Sequence, residues 1–309
     1  MKISKGLSPL KLKKIRNILW AICRAFLLIG LAYIVLYTIV YIIVVSVRTS
    51  EEMLNPAVVW ITHKFTLSNF KYAIEHMEYW GAVFRTSLVA ISCTVFQCFS
   101  CAFAGYGFAR FNFKGRTTLF GCVILTLLVP TQVTMLPQFI NYVRAESVLH
   151  ISMINTPIPL ILNSILGMGI RSGLFVYLFR QFFKNMPKEL EEAAYIDGCS
   201  PMKAFFRVII GNAKSIILVV FLLSLVWYWN DYYTVPMFYS SSYPLSIVLQ
   251  NLYDVLNAAR TEAGIPFTAS ETMVIIKSAC LLFLLPILTL YVILQKRFTQ
   301  SITDSAIVG

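Results

Sequence analysis

Pro187-Lys188-Glu189-Leu190-Glu191-Glu192-Ala193-Ala194-Tyr195-Ile196-Asp197-Gly198-Cys199-Ser200-Pro201-Met202-Lys203-Ala204-Phe205-Phe206-Arg207-Val208-Ile209-Ile210 is a polar, helix-forming island between two long apolar stretches. Glu189, Glu191 and Glu192 fall in the opening turn after Pro187, where carboxylates suit the positive helix end and proline's missing N–H costs nothing. Gly198 is the natural stop. Ser200 then offers an N-cap oxygen and Pro201 a first-turn residue for a second short helix reaching about Ile210. Two short helices meeting at a glycine, with Leu190, Ala193, Ala194, Met202, Phe205 and Phe206 as apolar contacts, suit a groove on a soluble partner.

Working outward, the flanking chain belongs in a bilayer. Of its residues 58% are hydrophobic and 13% charged, and the mean hydropathy is +0.73, too apolar for an ordinary soluble protein. Apolar windows of about 20 residues or more, the length that crosses a hydrocarbon core of about 30 Å, occur six times. They lie near Ile18 to Val47, Phe84 to Ala109, Thr118 to Tyr142, Ile158 to Phe183, Ala213 to Pro236 and Thr272 to Leu294. The expected fold class is therefore an all-α polytopic membrane protein with six transmembrane helices. Residues 1–17 form a basic cytoplasmic N-terminus, and 18–309 a single transmembrane domain with no separable module. The first apolar run is too long for a signal-peptide core of about 7 to 15 residues and lacks a cleavage site, so it reads as an uncleaved anchor.

Basic residues orient the spans. The four segments expected inside carry 17 Lys or Arg, and the external segments and span ends carry 7, which places both termini in the cytoplasm. The net charge of +12 then reflects segments lying beside lipid head groups rather than a nucleic-acid-binding surface. Seven cysteines, none in an external loop, read as small packing residues; Cys98 and Cys101 form a C-x-x-C inside an apolar helix, where a metal site has no other ligands. The external loops from Arg48 to Val83 and from Met237 to Glu271 carry short helical patterns, Phe70 to Trp80 and Tyr243 to Ala259.

Glu192-Ala193-Ala194, Asp197-Gly198, Phe205 and the following Val208-Ile209-Ile210 resemble the cytoplasmic "EAA" loop of permease subunits of binding-protein-dependent ABC importers. Tyr106-Gly107-Phe108-Ala109-Arg110-Phe111, Phe113-Lys114-Gly115-Arg116, Pro130-Thr131-Gln132-Val133 with Pro137, and Trp229-Asn230-Asp231 extend the resemblance over roughly residues 60 to 309, toward the carbohydrate branch and its shorter six-span subunits of the maltose-importer type. One departure is Gly211, where the family usually carries proline.

The resemblance implies a type I importer permease fold whose loop 187–211 is the coupling helix docked in an ATPase cleft. Glu191, Glu192, Ala193, Ala194, Asp197, Gly198, Met202, Phe205 and Phe206 are then the coupling residues. It further implies a homologous second permease, an ATP-binding cassette ATPase dimer that holds ATP and Mg, an extracytoplasmic solute-binding protein delivering a sugar or oligosaccharide, and a place in the cell membrane. No cofactor, metal or catalytic residue is expected in this chain. The phosphate-cradling G-x-x-x-x-G-K-[ST] pattern is absent, and Gly167-Met168-Gly169-Ile170-Arg171-Ser172-Gly173 lacks the lysine.

Polar groups inside the spans carry the remaining signal, because a charge at mid-bilayer costs at least about 2.5 to 3.5 kcal/mol. Trp229, Asn230 and Asp231 read either as a lining of the translocation path or as an internally packed helix-end cluster. Pro130 and Pro137 are expected to break the third span, with Gln132 beside the freed backbone groups. Arg24 and Arg171 lie within spans and require snorkelling or a partner in the bundle. The competing readings are an ATP-independent secondary transporter or channel, which calls for mid-span ionisable relays or repeated broken helices, and a membrane-embedded enzyme, which calls for convergent His, Asp or Glu.

Overall fold

The computed structural model describes residues 9–55, 60–239, 244–263 and 268–307. The basic residues Lys2 and Lys5, and Tyr243 of the second loop helix, lie outside them. Among the described residues the regular elements are helices joined by turns and loops, with one isolated antiparallel bridge between Arg48 and Phe65. It divides into two compact units, residues 1–73 with 264–281, and residues 74–263 with 282–309.

In the first unit, α1 (Pro9–Ser46) holds a 34-residue apolar stretch from Lys13 to Ser46, about 51 Å long at about 1.5 Å per residue. After α2 (Ser50–Met53), the start of α3 (Ser68–His76) is tied back to it: Asn69 Nδ2 donates to the carbonyls of Ser46 (2.9 Å) and Arg48 (2.8 Å). These carbonyls follow the last turn of α1 and have no helical N–H to accept from, so a buried amide satisfies them.

The second unit is built on α4 (Tyr79–Arg110), a 32-residue helix. The third apolar window folds as two helices, α5 (Arg116–Leu125) and α6 (Thr131–Leu149), and the fourth as α7 (Ile158–Ile165) and α8 (Ser172–Asn185). Then come the elbow helices α9 (Glu189–Ile196) and α10 (Pro201–Ala204), a π turn over Phe205–Ile209, and α11 (Ile210–Asn212). α12 (Lys214–Trp229), α13 (Thr234–Phe238), α14 (Leu245–Ala263) and α15 (Ala269–Ile307) follow, the last beginning in the first unit.

The six expected spans are thus not six uninterrupted rods. Among the described residues three helices are long and apolar enough to cross a membrane, Lys13–Ser46, Tyr79–Arg110 and Ala269–Gln295, and a fourth crossing arises if Pro201–Asn212 and Lys214–Trp229, bent by 79°, count together. The physical reason lies in the breaks. Pro130, with ψ of 136°, leaves the helical region before α6, while Gly167 (φ +70°) and Arg171 (φ +58°) sit in the left-handed region between α7 and α8. Pro137 breaks nothing: α6 runs through it, with only the Val133 carbonyl deprived of its helical donor.

α8 packs directly on α4 because Gly105 has no side chain. A Cβ there would stand 2.6 Å from Cβ of Phe179, so the helices meet at backbone distance. Around that contact Tyr106, Phe175, Phe179, Phe183 and Phe205 are buried in one cluster with Cys98 and Cys101. Each fully buried phenylalanine of this set contributes about 1.5 to 3 kcal/mol relative to exposure.

Candidate functional site

The elbow folds as its local signals direct. Gly198 adopts φ +76° and ends α9. Cys199 N donates to Ala194 O (2.9 Å) and Gly198 N to Tyr195 O (3.0 Å), the paired bonds of a glycine-terminated helix end that satisfy two otherwise orphan carbonyls. Ser200 Oγ accepts from Lys203 N at 3.4 Å and starts α10. Beyond Ala204 the chain widens into the π turn instead of continuing an ordinary helix to Ile210, and Gly211 lies inside α11, with open space around it, before the 79° bend into α12.

Arg110, the last residue of α4, holds this elbow. Its Nε lies 2.8 Å from Glu191 Oε1, with side-chain exposures of 6% and 11%, and its Nη2 donates to Met186 O at 2.6 Å. Burial pushes the Glu191 carboxyl above the ordinary glutamate value of 4.5, against the opposing pull of Arg110. Desolvation therefore exceeds the attraction, and the pair acts as a positioning device whose disruption would leave a lone buried charge.

The nine residues singled out from sequence divide by this geometry. Glu191, Ala194 and Phe205 face inward; Phe205 is fully buried, its ring 4.9 Å from that of Tyr106. Glu192, Ala193, Asp197, Gly198 and Met202 are exposed, and Phe206, also exposed, stacks on Phe99 with centroids 6.0 Å apart. Sequence reasoning missed Ile196, an isoleucine 85% exposed at the end of α9, and missed Arg110 as the anchor. Ile196 stands directly before Asp197-Gly198, so its place at a helix end was the available signal.

Higher in the second unit, side chains from four helices form a buried polar knot. Gln97 Nε2 donates to Ile170 O (2.7 Å) and to Ser172 Oγ (2.8 Å), while Ser224 Oγ donates to Gln97 Oε1 (2.6 Å). Tyr228 OH accepts from Ile170 N (3.3 Å) and pairs with Ser164 Oγ at 2.8 Å. The backbone groups freed by the break between α7 and α8 are thereby satisfied by side chains from α4 and α12, as a non-helical segment at membrane depth requires. Beside the knot opens a cavity of about 280 Å³ whose lining includes Gln138, Asn163 and Arg171.

The residues read as a translocation path lie around this level with their polar atoms engaged locally. Trp229 is only 4% exposed, and its Nε1 donates to Phe283 O at 3.3 Å. Asp231 caps the start of α13: Oδ1 accepts from Tyr233 N (3.1 Å) and Thr234 N (3.0 Å), and Oδ2 from Val235 N (3.1 Å). Asn230 Nδ2 donates to Val226 O at 2.8 Å, in the last turn of its own helix. Pro130 and Gln132 are exposed at the start of α6, next to the cavity-lining Val129 and Thr131. Among the described residues no group of three or more His, Cys, Asp or Glu is placed to hold a metal ion.

Comparison with known proteins draws these features together. The family model of the binding-protein-dependent transport system inner membrane component matches residues 102–304. The arabinooligosaccharides transport system permease protein AraQ of Halalkalibacterium halodurans is 25% identical over 293 residues, covering 94% of this chain and 96% of that protein. The polygalacturonan/rhamnogalacturonan transport system permease protein YtcP of Bacillus subtilis is 24% identical, covering 91% and 96%. In fold, the chain is similar to one from the crystal structure of a bacterial ABC transporter involved in the import of the acidic polysaccharide alginate, with TM-score 0.74, 20% identity, and coverage of 92% of this chain and 98% of that one.

Proposed function

The chain belongs to the binding-protein-dependent transport system inner membrane component family, and from that premise we propose that it is the permease subunit of an ATP-driven importer, forming part of the path for a sugar or oligosaccharide. Residues 18–309 act as one permease domain, multi-pass in the cell membrane, with both termini and the loop 187–211 on the cytoplasmic side. It works beside a homologous second permease, on an ATPase dimer that supplies ATP, Mg and hydrolysis, and receives solute from an extracytoplasmic binding protein.

The elbow is the observation that carries this reading. Ile196 at the end of α9 and Met202 on α10 are exposed, while Glu191 of α9 is fastened by Arg110 and Phe205, directly after α10, is buried. A tip that is greasy, rigid and set on a charged surround suits a groove on another protein. When the ATPase dimer closes on ATP, a displacement of that tip passes to α4 through Arg110 and to α4 and α8 through the aromatic cluster, because close-packed side chains transmit movement rather than absorb it. The bundle rocks and the path changes the side to which it opens. Pro130 and Gln132 border that path from α6, and Trp229, Asn230 and Asp231 shape its wall by holding the α12–α13 corner.

The test is co-purification of the assembly combined with ATP-driven uptake. Ile196→Asp alters an exposed side chain, so stability should stay within about 0.5 kcal/mol, while recovery of a stoichiometric ATPase subunit and ATP-dependent uptake should both be lost; Glu192→Lys should act in the same sense. Solute movement by the purified chain alone, at a rate indifferent to ATP, would overturn the proposal.

A further inference from the structure

We infer that the cavity beside the α7–α8 break takes a solute bearing an acidic group, a carboxylate, phosphate or sulfonate on a polyhydroxylated body, and that Arg171 is the residue that selects it. This rests on the importer reading above and adds to it the charge class of the solute.

Arg171 is the starting point. It precedes α8 in the left-handed backbone region (φ +58°), which L-residues other than asparagine and aspartate seldom occupy. Its guanidinium lies 4.8 Å from the centroid of the Trp227 ring, and Arg171 is one of the residues lining the 280 Å³ cavity. No carboxylate lines that cavity, and among the described residues none forms an ion pair with Arg171. On the importer reading, which puts the Asn185 end of the 14-residue α8 at the cytoplasmic side, Arg171 stands about 21 Å along the axis from that end, a distance shorter than a hydrocarbon core of about 30 Å. A cation at that depth with no ion-pair partner among the described residues is costly unless it faces water or a ligand anion.

The other lining groups complete the description. Thr126 Oγ1 donates to Val123 O (2.6 Å) and Thr134 Oγ1 to Thr131 O (2.9 Å), so both hydroxyls have spent their protons and present lone pairs to the cavity. They can accept from a solute's hydroxyl groups. Gln138 Oε1 accepts from Asn163 Nδ2 at 3.3 Å, which turns the Gln138 amide nitrogen into the available donor. The cavity therefore offers acceptors for hydroxyls, neutral donors such as the Gln138 amide, and one cationic residue, Arg171. A neutral sugar would use the first two and leave Arg171 idle; an acidic sugar uses all three.

The deciding experiment follows Trp227 emission in the complete importer held in nanodiscs of neutral phosphatidylcholine, with digalacturonate and the uncharged galactobiose as probes. Trp227→Phe identifies that residue's share of the signal. Digalacturonate should perturb the emission saturably, and Arg171→Gln should weaken its apparent affinity roughly ten- to a hundredfold, the loss of a charge-assisted set of hydrogen bonds. Arg171→Lys should recover part of the loss, and galactobiose should respond equally in all three proteins. Equal affinity for the two probes, or an unaltered response in Arg171→Gln, would sink the inference while ATP-driven uptake of a neutral sugar left the importer reading standing; absence of ATP-driven uptake of either probe would remove both. A signal produced by phosphatidylglycerol nanodiscs without probe would assign Arg171 to a lipid phosphate. Loss of the second permease from Arg171→Gln preparations would assign it to a subunit interface. Either outcome overturns the solute assignment.

Discussion

The elbow of residues 187–211 and the region around the cavity are built in opposite ways. In the elbow, consecutive residues decide the structure: Pro187, Gly198, Ser200 and Pro201 punctuate two helices, and only the Arg110–Glu191 pair and the aromatic cluster come from afar. In the polar knot beside the cavity no two neighbouring residues suffice, because Gln97, Ser164, Ser172, Ser224 and Tyr228 meet from four helices. A part that must present a constant shape to a partner is secured by short-range hydrogen bonds. A part that must open and close is held by side-chain bonds between helices, which can exchange partners without unfolding any of them.

If the contrast holds, the largest effect should come from the elbow's long-range ion pair. Glu191→Ala leaves the Arg110 guanidinium buried without its countercharge, a loss of about 3 to 5 kcal/mol, visible as a lower Tm and poor recovery from the membrane. The pair Arg110→Met with Glu191→Leu should restore most of that loss, since no charge is then left buried; failure to do so would mean that the ion pair, and not merely its neutralisation, holds the elbow. Next in size is Gln97→Leu, which removes the side-chain partner of Ser172 and of the Ile170 carbonyl and leaves Ser224 only Thr94 Oγ1 at 3.3 Å; it should cost about 1 to 3 kcal/mol while the ATPase subunit still co-purifies. Loss of the ATPase from that variant would erase the distinction between the two regions.

The smallest effect concerns pH. Because burial raises the Glu191 pKa on folding, the carboxyl contributes stability that is fully present below the unfolded value and is lost as pH rises through the folded one. The Tm of the native chain relative to Glu191→Gln should therefore improve as pH is lowered from about 7 to about 5. A relative decline over that interval would show that Arg110 outweighs desolvation after all.

Much of the elbow was legible because capping, glycine stops and proline starts are one-dimensional signals. The inward turn of Phe205 and Ala194 was not, since an apolar residue on a docking face and one in a core look identical until the neighbouring helices are known. The interrupted fourth window shows a second limit. Gly167-Met168-Gly169-Ile170-Arg171 is mostly apolar, so averaged hydropathy runs straight across a segment where the backbone turns left-handed twice. Asp231 shows a third: its membrane-level carboxylate was a sound reason to look there, yet three backbone N–H groups occupy it.

By itself the sequence determined the medium, the helical class, the family resemblance and the elbow, because hydropathy, charge asymmetry and turn chemistry act over distances shorter than a helix. Only the tertiary structure decided which spans are broken, that Arg110 anchors the elbow, and that Arg171 is among the residues lining a cavity. Each of those depends on which side chains arrive from elsewhere to satisfy a buried charge or an open backbone group, and that is a property of packing in three dimensions.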